Sequence, residues 1–250
     1  MSDALVVNEI YLSLQGESTF AGLPCVFIRL TACNLRCSYC DTAYAFTEGR
    51  TMPVAAITQE VLRLAKPFEA GSHFPVRGGD GKLPLVELTG GEPLLQKNAL
   101  PLMTNLCEAG FTVLLETSGA HDIGQVDPRV RRIMDLKCPS SGEEGKNRWE
   151  NLPLLKNTDE IKFVIGTVED YEWTKRMIYQ HRLAEVCPLL VSWVHPLAPA
   201  QQHKSLKPVP SGQTPITRQQ LAEKIIADAL PVRMQVQLHK ILWPPDQRGV

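Results

Sequence analysis

The stretch Cys25-Val26-Phe27-Ile28-Arg29-Leu30, followed at once by Thr31-Ala32-Cys33-Asn34-Leu35-Arg36-Cys37-Ser38-Tyr39-Cys40-Asp41-Thr42, decides the fold. Its first part is an apolar, β-branched and aromatic run that reads as a buried strand. Its second part places Cys33, Cys37 and Cys40 on the loop leaving that strand's C-terminal end, where parallel α/β folds carry their chemistry. Working outward, runs of the same character recur at 84–88, 111–116, 132–137, 160–165, 188–194 and 232–238. Amphipathic stretches at 57–66, 94–109, 147–155, 168–182 and 216–229 fit helices between them, the last opened by Thr217 with Gln220 as a capping box. Alternation of this kind predicts repeated βα units. Seven strands are too few for a closed eightfold barrel, so the expected fold is α/β, a partial, open parallel β/α barrel preceded by a short antiparallel β segment near 5–14. One domain is expected over 1–250. Three stretches, at 67–84, 138–146 and 195–215, are long for plain connections and read as lids or as surface decoration.

The chain carries 26 basic and 27 acidic side chains, a net charge of −1, so no global field favours a nucleic-acid backbone or an anionic membrane. No apolar run reaches bilayer-spanning length, and the start MSDALVVNEI lacks the basic and apolar regions of a secretory signal. A cytoplasmic protein is expected, with neither a nucleic-acid nor a membrane partner. Seven cysteines in a reducing compartment argue for metal or catalytic use rather than disulfides. Cys25, Cys107, Cys138 and Cys187 are scattered among apolar or loop neighbours and read as packing residues.

Three thiolates at the spacing CxxxCxxC suit iron-sulfur or zinc chemistry. Structural zinc wants four ligands, commonly as two separated pairs, and no second pair follows. A cubane held by three cysteines leaves one iron open. The loop, with the aromatic Tyr39 before its last cysteine, resembles the signature of radical S-adenosylmethionine (SAM) enzymes. That resemblance implies a 4Fe-4S cluster on Cys33, Cys37 and Cys40, with SAM chelating the open iron and yielding a 5′-deoxyadenosyl radical on reduction. Thr89-Gly90-Gly91-Glu92-Pro93 looks like the GGEP segment of the same enzymes; on its own it reads as a strand-to-helix turn. Glu116-Thr117-Ser118-Gly119 and Asp135-Leu136-Lys137 end two further strands, where polar groups are displayed. Lys162 within EIKFVI must reach an edge, a partner or the barrel mouth.

The substrate is suggested by the two ends of the chain. Asn8-Glu9-Ile10, Ser13-Leu14-Gln15-Gly16-Glu17-Ser18, Gly22, Phe27 to Leu30, Cys40-Asp41-Thr42 and the late Gln237-Leu238-His239-Lys240 together resemble the 7-carboxy-7-deazaguanine synthases over nearly the whole chain. These lyases convert 6-carboxy-5,6,7,8-tetrahydropterin to 7-carboxy-7-deazaguanine with loss of ammonia, on the route to queuosine. The resemblance implies pterin contacts by Leu14, Gln15, Gly16, Arg29, Thr89 and His239, with Arg29 pairing with the substrate carboxylate. It implies SAM contacts by Tyr39, Cys40, Asp41, Gly91, Glu92, Ser118, Asp135, Leu136 and Lys137, and a magnesium ion (Mg2+) on the Thr42 hydroxyl. A flavodoxin-like electron donor and a homodimer are implied in the same way. Short relatives end a few residues beyond QxHK, whereas here 241–250 continues the chain, so a role for a terminal carboxylate does not carry over. Two other readings remain at this point: an activase that acts on a protein backbone, and a non-catalytic iron-sulfur module.

Overall fold

A computed structural model describes residues 3–68, 73–76 and 79–250, and for 73–76 and 79–80 only the backbone course is described. The strands are β1 Ala4–Leu14, β2 Pro24–Leu30, β3 Arg50–Pro53, β4 His73–Val76, β5 Gly79–Lys82, β6 Leu85–Gly90, β7 Val113–Thr117, β8 Arg131–Asp135, β9 Glu160–Ile165, β10 Leu189–Trp193 and β11 Arg233–Gln235. The helices are α1 Val54–Ala65, α2 Ala99–Glu108, α3 Val168–Gln180, α4 Arg218–Ala227 and α5 His239–Leu242.

One sheet runs in the order β11-β10-β9-β8-β7-β6-β2-β1-β3. From β2 to β11 every neighbouring pair is parallel, and β11 does not pair with β3, so the barrel stays open. All seven predicted strands are therefore present. The predicted N-terminal segment is β1, antiparallel to β2 and also to β3, a short half-exposed strand that the periodicity did not mark.

The two faces of the sheet divide the labour. Val26, Ile28, Leu30, Val86, Leu88, Val113, Leu115 and Met134 face outward and pack with the helices in one continuous core. Cys25, Phe27, Leu85, Leu114 and Ile133, with Phe20, face inward and fill the bottom of the barrel. Above that plug the inward positions turn polar, so the same strands that build the core also build a polar chamber.

Two helix expectations need correction. The stretch 147–155 is not an α-helix: it holds the 3-10 turn Trp149–Leu154, just after a separate one at Glu144–Lys146. Pro153 has no N–H for an α ladder, and the buried Asn151 side chain binds the carbonyls of Gly119 and His121 instead. At 94–109 the α-helix begins only at Ala99, because Pro93–Leu95 forms a separate 3-10 turn capped by Glu92. The Thr217–Gln220 capping box is present as expected, and a second one, Thr167–Asp170, opens α3.

The three interrupting stretches differ in kind. In 67–84 the chain forms the β4–β5 hairpin, while residues 69–72 and 77–78 and the side chain of His73 lie outside the described residues. The other two are structural supports for the cysteine loop. Ser38 N–H and Oγ donate to the carbonyls of Ser141 (3.1 Å) and Ser140 (2.7 Å). Arg36 N–H donates to Glu143 Oε1 at 2.7 Å, and Lys207 N–H donates to Arg36 O at 2.9 Å.

Candidate active site

A cavity of about 500 Å3 opens at the C-terminal ends of the strands, a volume suited to small ligands. Of the residues expected to contact the cluster, SAM, the pterin or magnesium, all but two line it. Cys33, Cys37 and Cys40 are on one wall, with Tyr39, Asp41 and Thr42 in the same loop. Burial pushes all three thiols up, Cys37 to about 12, so their protons must leave as metal binds. Lys137 opposes that cost: burial disfavours its own charge, but Asp135, bridged to it at 2.7 Å, and the thiols hold it protonated.

The donor set fits the implied cofactors. Among the described residues no three His, Cys, Asp or Glu side chains converge on a point for a single ion. A cubane instead takes one cysteine at each of three corners. The buried Tyr39 hydroxyl and Asp135 Oδ1, both of residues that line this cavity, have no hydrogen-bond partner among the described residues. Such orphaned polar atoms call for a ligand that supplies hydroxyl or ammonium groups. The Thr42 hydroxyl, at the start of the 3-10 turn Ala43–Phe46, makes no cap; its nearest polar contact is Cys40 Sγ at 3.7 Å. It is thus available as a hard oxygen ligand.

Glu92 and Leu136 are the exceptions, and both correct the sequence reading. Glu92 is fully buried behind the cavity wall, where its carboxylate accepts from Leu94 N, Thr117 Oγ1, Ser118 N and Ser118 Oγ. It has no capacity left for an ammonium and instead ties the GGEP turn to the end of β7. Leu136 points into the outer core, and its N–H donates to Lys162 O at 2.9 Å. Gly91 is also explained from within: a Cβ there would lie 2.0 Å from Ala32 O and 2.9 Å from Cys33 Cβ. The missing side chain lets the GGEP turn clasp the cysteine loop, with Glu92 N–H donating to Ala32 O at 2.8 Å.

The opposite wall comes from β1, β2 and the end of the chain. Arg29 Nε donates to Glu9 Oε1 at 2.7 Å and Nη2 to the Tyr11 hydroxyl at 3.0 Å. Leu14-Gln15-Gly16 packs on the late QLHK segment: Leu238 N–H donates to Gly16 O at 3.0 Å, and a Cβ on Gly16 would meet His239 Nδ1 at 2.5 Å. Burial lowers the His239 imidazole, favouring its neutral form. Asp41 is ion-paired with Lys240, whose charge outweighs burial and holds the carboxyl below its usual range. Residues 245–250 come back over the mouth and line it.

Lys162 and Glu116, both noted in the sequence, meet in a floor that their spacing did not join, and Glu87 beside them went unmarked. Lys162, held inside the barrel, bridges Glu116 and Glu17, and Glu116 Oε2 accepts from Thr89 Oγ1 at 3.0 Å. Burial would raise Glu116, but Lys162 prevails and keeps it ionised. Glu87 lies beside them and accepts from the Gln15 side-chain amide. The available signal was the alternation itself: Arg29, Glu87, Glu116 and Lys162 are charged residues within otherwise apolar strands.

An open parallel barrel with three cysteines on the loop after its first strand, and a glycine turn clasping that loop, defines a radical SAM enzyme. Consistent with this, residues 27–179 match the Radical SAM superfamily. The chain is 42% identical over 245 residues to the 7-carboxy-7-deazaguanine synthase of Koribacter versatilis, covering 98% of this chain and 99% of that protein. It is 40% identical over 249 residues to the synthase of Chlorobaculum tepidum, covering 98% and 97%. Among solved structures, QueE from Escherichia coli superposes with a TM-score of 0.66 at 21% identity, over 94% of this chain and 95% of that one, which supports the fold. The chain belongs to the 7-carboxy-7-deazaguanine synthase family of radical SAM enzymes. Its cofactors are accordingly a 4Fe-4S cluster and SAM, with Mg2+. Among the described residues no helix is long and apolar enough to cross a membrane.

Proposed function

We propose that the chain, acting as one domain, converts 6-carboxy-5,6,7,8-tetrahydropterin to 7-carboxy-7-deazaguanine and ammonia, in the cytoplasm and as a homodimer. The observation that carries this reading is the pairing of two unlike walls across one cavity: the cysteine loop on one side, and Arg29 with the Glu116–Lys162–Glu17 floor on the other. A small molecule with one carboxylate and several N–H donors complements both. The relatives of Koribacter versatilis and Chlorobaculum tepidum bear the name of this activity.

When bound, the reduced cluster and SAM supply a radical that removes one hydrogen from the substrate. The chain's own residues decide which hydrogen. Arg29 offers guanidinium N–H groups to the carboxylate in a fixed plane, which suits bidentate recognition. The ionised Glu116 accepts N–H donors from the aminopyrimidinone edge, and Thr89 holds that carboxylate in place. Leu14, Gln15 and Gly16 form the wall against which the rings lie, and neutral His239 offers a ring nitrogen beside them. Around SAM, Tyr39, Cys40, Asp41, Gly91, Ser118, Asp135 and Lys137 form the lining, with the Tyr39 hydroxyl and Asp135 Oδ1 as its unpaired groups. Thr42 supplies an oxygen to Mg2+. The electron for a bound cluster would come from an external one-electron donor of the flavodoxin class.

An activase acting on a protein backbone fits less well, because residues 200–203 and 245–250 narrow the mouth that a partner chain would have to enter. The test is anaerobic turnover of the reconstituted, reduced protein with 6-carboxytetrahydropterin, reading deazaguanine product against 5′-deoxyadenosine. Product close to stoichiometric with substrate consumed is expected; SAM cleavage with no deazaguanine overturns the substrate assignment.

A further inference from the structure

The ten residues after QLHK reach the Arg29 site through a chain of contacts. Glu9 and Arg29 are register partners on β1 and β2. Glu9 Oε1, which accepts Arg29 Nε at 2.7 Å, also accepts the Tyr44 hydroxyl at 3.0 Å. Tyr44 lies in the 3-10 turn just beyond Thr42. Its ring is covered by the Arg248 guanidinium at 3.7 Å from the centroid, and Arg248 Nη1 pairs with Glu48 at 2.7 Å. Arg29, Tyr44, Glu48 and Arg248 all line the cavity, whereas Glu9 stands behind them.

The geometry at Arg29 explains why such a chain matters. A carboxylate can take an arginine from the side, through Nε and Nη2, or end-on, across both terminal nitrogens. In that pose Glu9 would cover the edge that a substrate carboxylate needs. Here it accepts from Nε at the side, the Tyr11 hydroxyl accepts from Nη2, and Nη1 makes no hydrogen bond to the described residues. The Tyr44 hydroxyl is the second donor that holds Glu9 in this side-on pose. A cation over the Tyr44 ring fixes the ring's plane and strengthens its hydroxyl as a donor.

We propose that Glu9, Tyr44 and Arg248 form a positioning relay that reserves the terminal edge of Arg29 for the substrate carboxylate, and that the C-terminal segment takes part in substrate selection through Arg248. None of the three needs to touch the carboxylate itself. The proposal rests on the pterin reading above, and it makes a demand that reading does not make: the effect of each relay residue must depend on the ligand's carboxylate.

The test is equilibrium binding to anaerobically reconstituted, SAM-loaded, unreduced enzyme, with 6-carboxytetrahydropterin and tetrahydropterin as the two ligands. Tyr44→Phe removes only the hydroxyl and leaves the ring for Arg248; Arg248→Ala removes the cation together with its pair to Glu48. Each should weaken the carboxylated ligand by roughly 3- to 10-fold, the scale of one hydrogen bond or one cation–π contact, and leave tetrahydropterin within about twofold. The double variant should be no worse than the more affected single variant, and in an Arg29→Ala background neither change should have an effect. Unaltered cluster absorbance and thermal midpoint establish that each variant is folded. Equal weakening of both ligands, or no weakening of either, overturns the relay. Failure of the parent enzyme to bind either pterin defeats the substrate reading instead, so the two failures are distinguishable.

Discussion

Replacing Glu87 by glutamine should make the folded protein more resistant to alkali than its parent. Glu87 is 2% exposed, above the apolar plug of Leu85 and Phe27 and next to Glu116. None of the ion pairs among the described residues includes it; its partner is the Gln15 amide, which donates to it. Burial pushes its carboxyl well above the usual range, Glu116 and Glu17 add to the shift, and the opposing pull of Lys162 and Arg29 does not reverse it. The fold therefore favours the neutral acid more than the unfolded chain does. For a group raised in this way the stability contribution is complete below the ordinary carboxylate pKa and is lost as pH rises toward the folded value. The loss is at most about 1.4 kcal/mol per pH unit. Glutamine keeps an acceptor for Gln15 and never ionises. As pH rises above the ordinary carboxylate range the variant should gain on the parent by at most about 1.4 kcal/mol per pH unit, roughly 3–6 °C in thermal midpoint per unit for a chain of this size. The assay is the thermal midpoint of both reconstituted proteins, measured anaerobically at pH 5, 6, 7 and 8. A difference that stays constant with pH would show that Glu87 is ionised in the folded protein and refute the reasoning.

Serine at Cys33, Cys37 or Cys40 should abolish cluster loading and SAM cleavage, whereas serine at Cys107 or Cys187 should leave iron and sulfide content unchanged; full iron in Cys37→Ser would remove it from the ligand set. Thr42→Val keeps the shape and deletes the oxygen, so turnover should lose most of its response to Mg2+ while SAM still binds. A variant that retains the parent's magnesium dependence would move the ion elsewhere. Gly91→Ala forces a Cβ against the Ala32 carbonyl, a backbone atom that cannot swing away. It should cost about 1–3 kcal/mol or more and reduce iron per chain, while an alanine that loads iron normally would show that the clasp is not needed. Glu92→Gln turns an acceptor of four hydrogen bonds into a group that also donates, and should destabilise the protein by about 2–3 kcal/mol at every SAM concentration; a defect confined to SAM affinity would instead return Glu92 to the cofactor site.

The parallel strands were legible in the sequence because all but the edge strand β11 are covered on both faces, and so read as short apolar runs such as CVFIRL or EIKFVI. The cysteine loop was legible because its ligands are local: three thiols within one loop are close in space however the rest of the chain folds. The same holds for the Thr217–Gln220 cap. Where a side chain's role depended on its direction, local reading failed. Glu92 follows two glycines at a strand end and looked free to meet a ligand, but the turn sends it backward into four donors of β7 and its own helix start. The stretch 147–155 has a helical pattern, yet Pro153 and the buried demands of Asn151 override it.

Partnerships between distant strands were decided by tertiary structure alone. Lys162 was conspicuous in the sequence, but only the barrel's interior joins it to Glu116 and Glu17, from a neighbouring part of the sheet and from the loop after β1. Residues 138–143 and Lys207 gave no sign that they brace the cysteine loop, and residues 241–250 gave none that Arg248 would stack on Tyr44. The physical reason is one of range. Periodicity, caps and loop ligands are set by neighbours within a few positions, whereas a buried charge finds its counter-charge according to which inward-facing residues the strand order brings to the same layer.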